Sequence, residues 1–321
     1  MLILLFTAVR QPDVTARLIR STRRTPSTVV LDLEDSLWDV TDSAGTSTLR
    51  AAGRTDLVAL AELDRELFSR QRVGVRVNRV SGPDAAADFE ALGRASRFVE
   101  FDTVVVTKIE SGADVSQNLA QLKGGGVAYR SVVPIVETRR GMDNMDDIIE
   151  TSRSAGIERL AYGHFDLSLD SGWWPFPEPW ESSFWTLAEP LIRRWESAGL
   201  EYVHPPYFQT HDEEGLALII RRLERTCERE FGIITVGPRQ AAMAARLGGS
   251  AARYDEVEAS SWATHRATGE TPSEIAQRVT STFLAARREP GGFALDHLTG
   301  TFISPHVYVA ARNYLRQIGY V

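Results

Sequence analysis

The chain has 321 residues, 43% of them hydrophobic and 25% charged, which is the balance of a soluble globular protein. Its net charge of −7 argues against nucleic-acid binding, which needs a basic face. There is one cysteine, Cys227, so no internal disulfide can form and a cytoplasmic location is expected.

The opening "MLILLFTAV" is apolar but too short to cross a bilayer, and it lacks the basic flank and cleavage site of a secretory signal. It reads as a buried first strand, and no membrane partner is expected. Short apolar runs then recur at 28–33, 73–78, 102–108, 131–137, 159–163, 200–204 and 231–237. Most are rich in β-branched residues and do not alternate with polar ones, the pattern of parallel strands covered on both faces. Between them, stretches such as "DLVALAELDRELFSRQ" and "EEGLALIIRRLERTCERE" carry apolar residues at helical spacing. Cys227 lies in the second of these and reads as a bystander on a helix. Eight strand–helix units over roughly 240 residues predict an α/β fold of the (β/α)8 TIM-barrel type. A doubly wound open sheet is disfavoured because no Gly-rich dinucleotide turn follows any strand. The barrel is placed at residues 1–245. Residues 246–321 become a helical C-terminal extension, lying over the barrel mouth or on a neighbouring subunit, with "TPSEIAQRVTSTFLAARRE" its clearest helix, capped at Thr271 or Ser273.

Active sites of such barrels gather at the C-terminal ends of the strands. The polar residues there are Asp32, Glu34 and Asp35, then Arg76 and Asn78, Lys108 and Glu110, Glu137, His164 and Asp166, and His204. Carboxylates with water-filled remaining positions suit Mg²⁺, and Glu137 with Asp166, on adjacent strands, form the best pair of ligands. Their alternative role is helix capping or pairing with Arg139 and Arg140. Arg76 inside a strand needs an anion, either a substrate carboxylate or Glu34 and Asp35. Lys108 could form a Schiff base, but so charged a rim favours an electrostatic or structural role. His164 and His204 are candidate acid–base groups or substrate donors, with a purely hydrogen-bonding role as the alternative. His211, His265, His297 and His306 have weaker context. No zinc-like spacing, nucleophile elbow or Walker loop occurs. The stretch "SGWWPFPEPWESSFW" (171–185) reads as an aromatic, proline-stiffened loop, either a pocket wall carrying Trp173 or a subunit interface.

The motifs "VVLDLEDSL", "GVRVNRV", "DTVVVTKIES", "VVPIVETRRGMDN" and "LAYGHFDLSLDSG" resemble, in order and spacing, those of the citrate lyase β-subunit-like (HpcH/HpaI aldolase) superfamily. The "YGHFD" and "WPFP" stretches look closest to a branch of carbon–carbon bond lyase-like barrels associated with bacterial tellurite-resistance and stress-response gene clusters. The resemblance implies a Mg²⁺-dependent lyase or aldolase acting on a carboxylated keto compound through an enolate. Glu137 and Asp166 would hold the metal, Arg76 would bind the substrate carboxylate, and Glu34 and Asp35 would order metal-bound water and the arginine. Trimers or hexamers are implied as well. Two departures stand out. Gly237 in "TVGPRQ" replaces a family histidine. In the tail "FISPH", Ser304 stands near a family aspartate that reaches a neighbouring subunit, so a coenzyme A thioester is not implied. A phosphorylated substrate would find positive charge at Arg10, Arg54 or Arg239. Competing readings keep the metal but hydrolyse a thioester or run another enolate-forming step, or make the chain a non-catalytic metabolite-binding or scaffold subunit.

Overall fold

A computed structural model describes residues 1–248, 269–286, 292–297 and 300–320. Eight parallel strands close into a barrel in simple sequence order: β1 (Leu2–Ala8), β2 (Thr28–Asp32), β3 (Val73–Val77), β4 (Phe101–Val106), β5 (Tyr129–Val136), β6 (Arg159–Tyr162), β7 (Glu201–His204) and β8 (Gly232–Val236). β8 returns to pair with β1, Leu4 facing Ile234, so no strand edge is left open. Every apolar run of the sequence is one of these strands.

Side chains alternate between two cores. Leu4, Val30, Val105, Val133, Ile135, Ala161, Val203 and Ile234 fill the barrel interior. Their neighbours, such as Leu31, Val75, Val104, Leu160 and Tyr202, pack outward against the helices. Gly74 occupies an inward position where a Cβ would stand 2.6 Å from the Thr103 side chain, so only glycine fits. This parity positions the site, because Asp32, Arg76 and Glu137 continue the inward-facing rows.

Helices follow the strands in the expected alternation. The predicted helical stretch 56–71 breaks at Asp64, which ends α2 (Ser43–Leu63) and caps α3 (Arg65–Arg70) by accepting the Leu67 N–H at 3.2 Å. Cys227 directly follows α10 (Glu213–Thr226), and burial pushes its thiol up to about 12, which fits a bystander. In the C-terminal segment α12 (Pro272–Ala286) is capped by the Thr271 hydroxyl, and β9 (Ala294–Asp296) pairs with β10 (Thr301–Ile303) ahead of α13 (Pro305–Gln317). The extension is therefore a small hairpin as well as helices. Residues 249–268, among them His265, lie outside the described residues.

This segment sits on its own barrel. Phe302 N–H donates to the Phe208 carbonyl at 3.1 Å, and Ala310 of α13 packs with Phe165, Phe176 and Phe208. The aromatic loop clamps it from the other side, with Trp174 Nε1 donating to the Pro272 carbonyl at 2.9 Å. Among the described residues no helix is long and apolar enough to cross a membrane.

Candidate active site

A cavity of about 330 Å³ opens at the C-terminal ends of the strands, the size of a small-molecule site. One side of it is ionic. Asp32, the last residue of β2, is buried, and its carboxylate accepts the Glu34 N–H at 2.9 Å and the Ser36 N–H at 3.0 Å. This Asx-type turn throws Glu34 and Asp35 over the barrel. Asp32 also receives both Nε (2.7 Å) and Nη2 of Arg76 in a bidentate pair. The third nitrogen, Nη1, reaches Asp35 at 3.0 Å and Glu34 at 3.2 Å, and the guanidinium lies over the Phe6 ring at 5.0 Å.

Lys108 follows β4 with φ of 53°, a left-handed conformation uncommon for a residue with a side chain. Its N–H thereby donates to Glu137 Oε1 at 2.8 Å, while its ammonium turns back to Glu34 and to Asp166 Oδ1 at 3.1 Å. An ammonium held by three carboxylates is no Schiff-base nucleophile, in line with the electrostatic role. Glu137 fits because residue 163 is glycine: a Cβ there would lie 2.3 Å from the Glu137 side chain. Asp166 stands in the first turn of α8 (His164–Asp170), where the helix dipole favours an anion.

The tail completes the site. Ser304 Oγ accepts the Val307 N–H at 3.3 Å and starts α13, which lowers His306 into the cavity. Its Nε2 stands 3.3 Å from Asp166 Oδ2 and 3.6 Å from Asp35 Oδ1, and its ring meets Trp38 edge-on. Asp35, Asp166 and His306 bring ligand-capable atoms within 4.8 Å of one another.

Charge governs the protonation of the cluster. Burial, then Asp35, pushes Glu34 up to about 8, and burial, then Asp166, holds Glu137 well above the ordinary glutamate range. Against the same burial, Lys108, Arg76 and His306 hold Asp35 well below its ordinary value, and His306 and Lys108 hold Asp166 down. His306 is carried up to about 10 against its burial by Asp166 and Asp35. Five carboxylates (Asp32, Glu34, Asp35, Glu137 and Asp166) face three cations (Arg76, Lys108 and His306), and with Glu34 and Glu137 pushed toward their protonated forms the other three carboxylates match the three cations. The oxygen-rich set, with two carboxyl groups whose protons a bound cation would replace, fits a divalent hard cation.

Several predicted residues sit elsewhere. His204 is fully buried outside the barrel wall, stacked on Trp185, and does not line the cavity, because it shares the outward parity of Tyr202. Burial and the neighbouring His164 push it down to about 3. His164 borders the cavity, but Nε2 is tied to the Pro177 carbonyl and Nδ1 to the Tyr162 hydroxyl at 3.1 Å, and burial pushes it down to about 4. No ring nitrogen is left for proton transfer. Trp173 packs on the outer core rather than the cavity, and Arg239 is exposed beyond it. Of the proposed phosphate-binding arginines only Arg10 reaches the lining; Arg54 is held by Asp84 and Asp88. Glu110 pairs with Arg79, and Asn78 Nδ2 donates to the Leu33 carbonyl at 2.9 Å. Sequence reasoning missed the pairing of Asp32 with Arg76, and it missed His306. Inward parity was the available signal for the first, and the "SPH" of the tail for the second.

Fold and site together define a (β/α)8 barrel protein with a carboxylate-rich cavity at the C-terminal strand ends. The chain belongs to the HpcH/HpaI aldolase/citrate lyase family, whose profile matches residues 2–215. Solved structures share the fold. RipC from Yersinia pestis is 18% identical, with a TM-score of 0.55 over 77% of this chain and 94% of its own. The citrate lyase β subunit from Mycobacterium tuberculosis, complexed with oxaloacetate and magnesium, is 22% identical, with a TM-score of 0.55 over 77% of this chain and 96% of its own. CitE from the same organism, in complex with magnesium, acetoacetate and coenzyme A, is 20% identical, with a TM-score of 0.56 over 99% of this chain and 97% of its own. Among curated protein sequences none matches this one.

Proposed function

We propose that the protein is a Mg²⁺-dependent carbon–carbon lyase or aldolase acting on a carboxylated keto compound. The observation that carries this reading is the cluster of carboxylates around Glu137 and Asp166, at the C-terminal strand ends where barrels of this kind place their active sites. Glu137 and Asp166 would hold the cation, with Asp35 and His306 bordering it. When bound, the cation supplies positive charge beside the substrate's keto and carboxylate oxygens. Fold relatives from Mycobacterium tuberculosis in complex with magnesium and oxaloacetate or pyruvate support the same class of ligand.

In cleavage of a 4-hydroxy-2-keto acid the C3–C4 bond breaks and its electron pair passes onto the keto fragment as an enolate, while the C4 hydroxyl gives its proton to water and becomes a carbonyl; protonation of the enolate at C3 by water then completes the reaction. Arg76, anchored by Asp32, presents fixed positive charge at the cavity floor. Lys108 holds Glu34 and Asp166 in place and adds further positive charge. Neither histidine of the strand ends serves as the base in this reading. Assembly as a trimer or hexamer accompanies it, with light scattering as the check.

Calorimetric titration of Mg²⁺ into wild type and Asp166→Asn, with oxalate present as an enolate-like probe, tests the proposal. Saturable binding that needs oxalate and is lost in the variant is expected. No binding to wild type, or equal binding to the variant, overturns it.

A further inference from the structure

The side of the cavity facing the ionic cluster is apolar and largely aromatic. Phe165 and Phe208 stack with centroids 4.1 Å apart and planes at 20°. Phe293 meets Phe208 edge-on at 5.5 Å, and Phe302 is fixed there through its backbone bond to Phe208. All four rings line the same cavity as Arg76, Glu137 and Asp166. They come from three separate places: Phe165 from α8, Phe208 from the loop after β7, and Phe293 and Phe302 from the C-terminal hairpin. Among the described residues nothing seals the wall: Phe293 is 40% exposed and Phe302 half-buried.

The four rings offer no side-chain donor or acceptor to a polar substrate fragment. The Ser36 hydroxyl is spent on Asp32 and the Ser304 hydroxyl on the backbone of α13, so outside the ionic cluster and the Tyr162–His164 pair the polar side chains of the lining are those of Thr7, Arg10 and Thr210. Carbohydrate-like hydroxyls moved off water onto this wall would lose hydrogen bonds that it does not return. Apolar carbon, by contrast, gains from every contact with the rings.

We propose that the part of the substrate beyond C3, the fragment released as a carbonyl compound, is an aromatic or branched aliphatic group held against Phe165, Phe208, Phe293 and Phe302. This rests on the keto-acid reading above and goes beyond it by assigning the substrate class. The charged end of the cavity takes the keto acid and the aromatic end takes the apolar group, so the ligand is amphipathic. Phe293 and Phe302 become specificity-determining residues supplied by the tail.

The test measures affinities of the Mg²⁺-loaded protein, by calorimetry, for oxalate, pyruvate, 4-methyl-2-oxopentanoate, phenylpyruvate and 2-oxoglutarate. Each buried carbon tightens binding by up to about fourfold. Phenylpyruvate and 4-methyl-2-oxopentanoate are therefore expected to bind at least about tenfold more tightly than pyruvate, and 2-oxoglutarate not. In Phe293→Ser and Phe302→Ser that preference should fall several-fold. Oxalate binding with no apolar preference, or a preference for 2-oxoglutarate, overturns this inference while leaving the metal site standing. A preference unchanged in both variants shows that the rings do not create it, and overturns it equally. If oxalate itself fails to bind, the keto-acid reading falls and the substrate assignment falls with it.

Discussion

Replacing His204 with phenylalanine removes an imidazole that touches nothing in the cavity and keeps an aromatic shape among Phe184, Trp185 and Tyr202. At neutral pH two effects oppose each other. The Tyr202 hydroxyl loses its long contact to Nδ1 at 3.4 Å, while the buried Nε2, which has no hydrogen-bond partner among the described residues, disappears. Each is worth about 1 kcal/mol, so stability should change by no more than about that in either direction. Acid separates the two proteins. Burial, aided by His164, lowers the folded imidazole from 6.5 to about 3, so below pH 6.5 the unfolded chain takes up a proton that the fold refuses. Stability contributed by the neutral ring is present above 6.5 and lost as pH falls toward 3. Between pH 7.5 and 5.5 that loss amounts to roughly 1–2 kcal/mol in wild type and is missing from the variant. Denaturant unfolding of both proteins at the two pH values reads the difference directly. A variant-minus-wild-type difference that does not change with pH refutes the buried, neutral ring. Oxalate-dependent Mg²⁺ binding should survive the change, because the ring lies outside the barrel wall.

Gly163→Ala would place a methyl group 2.3 Å from the Glu137 side chain and force it to move. Overpacking of this kind costs about 1–3 kcal/mol in thermal or chemical unfolding. Displacing Glu137 should also weaken oxalate-dependent Mg²⁺ binding at least roughly tenfold, and wild-type affinity would show that Glu137 takes no part. Asp32→Asn keeps the shape but strips the buried Arg76 of its bidentate anion, for an expected loss of about 3–5 kcal/mol on denaturant unfolding. A loss under about 1 kcal/mol would mean that Glu34 and Asp35 suffice to hold the guanidinium.

The barrel was legible because most strands are β-branched apolar runs and the stretches between them carry helical periodicity, so the order of elements followed from local pattern, while a boundary such as the break at Asp64 did not. Which strand-end residues enter the cavity was harder to read. These strands are buried on both faces, and apolar residues at odd and even positions look alike. Arg76 and Glu137 share the parity of the inward Val133 and Ile135, whereas His164 and His204 continue the outward rows of Leu160, Tyr162 and Tyr202. Polarity at a strand end does not by itself mark the cavity: His204 is buried in the outer core, and His164 borders the cavity with both ring nitrogens hydrogen-bonded. Trp173 misled in the same way, since an aromatic loop beside a cavity serves equally well to clamp a neighbouring segment.

What no local pattern could supply is the contribution of the tail, which depends on contacts between residues far apart in the sequence. The hydroxyl of Ser304 caps α13, and two residues later His306 meets Asp35 and Asp166. Two residues before the cap, Phe302 bonds to the backbone of Phe208 and joins the aromatic wall. One capped turn therefore sets both ends of the cavity, its charge and its apolar surface, from a single short stretch of chain.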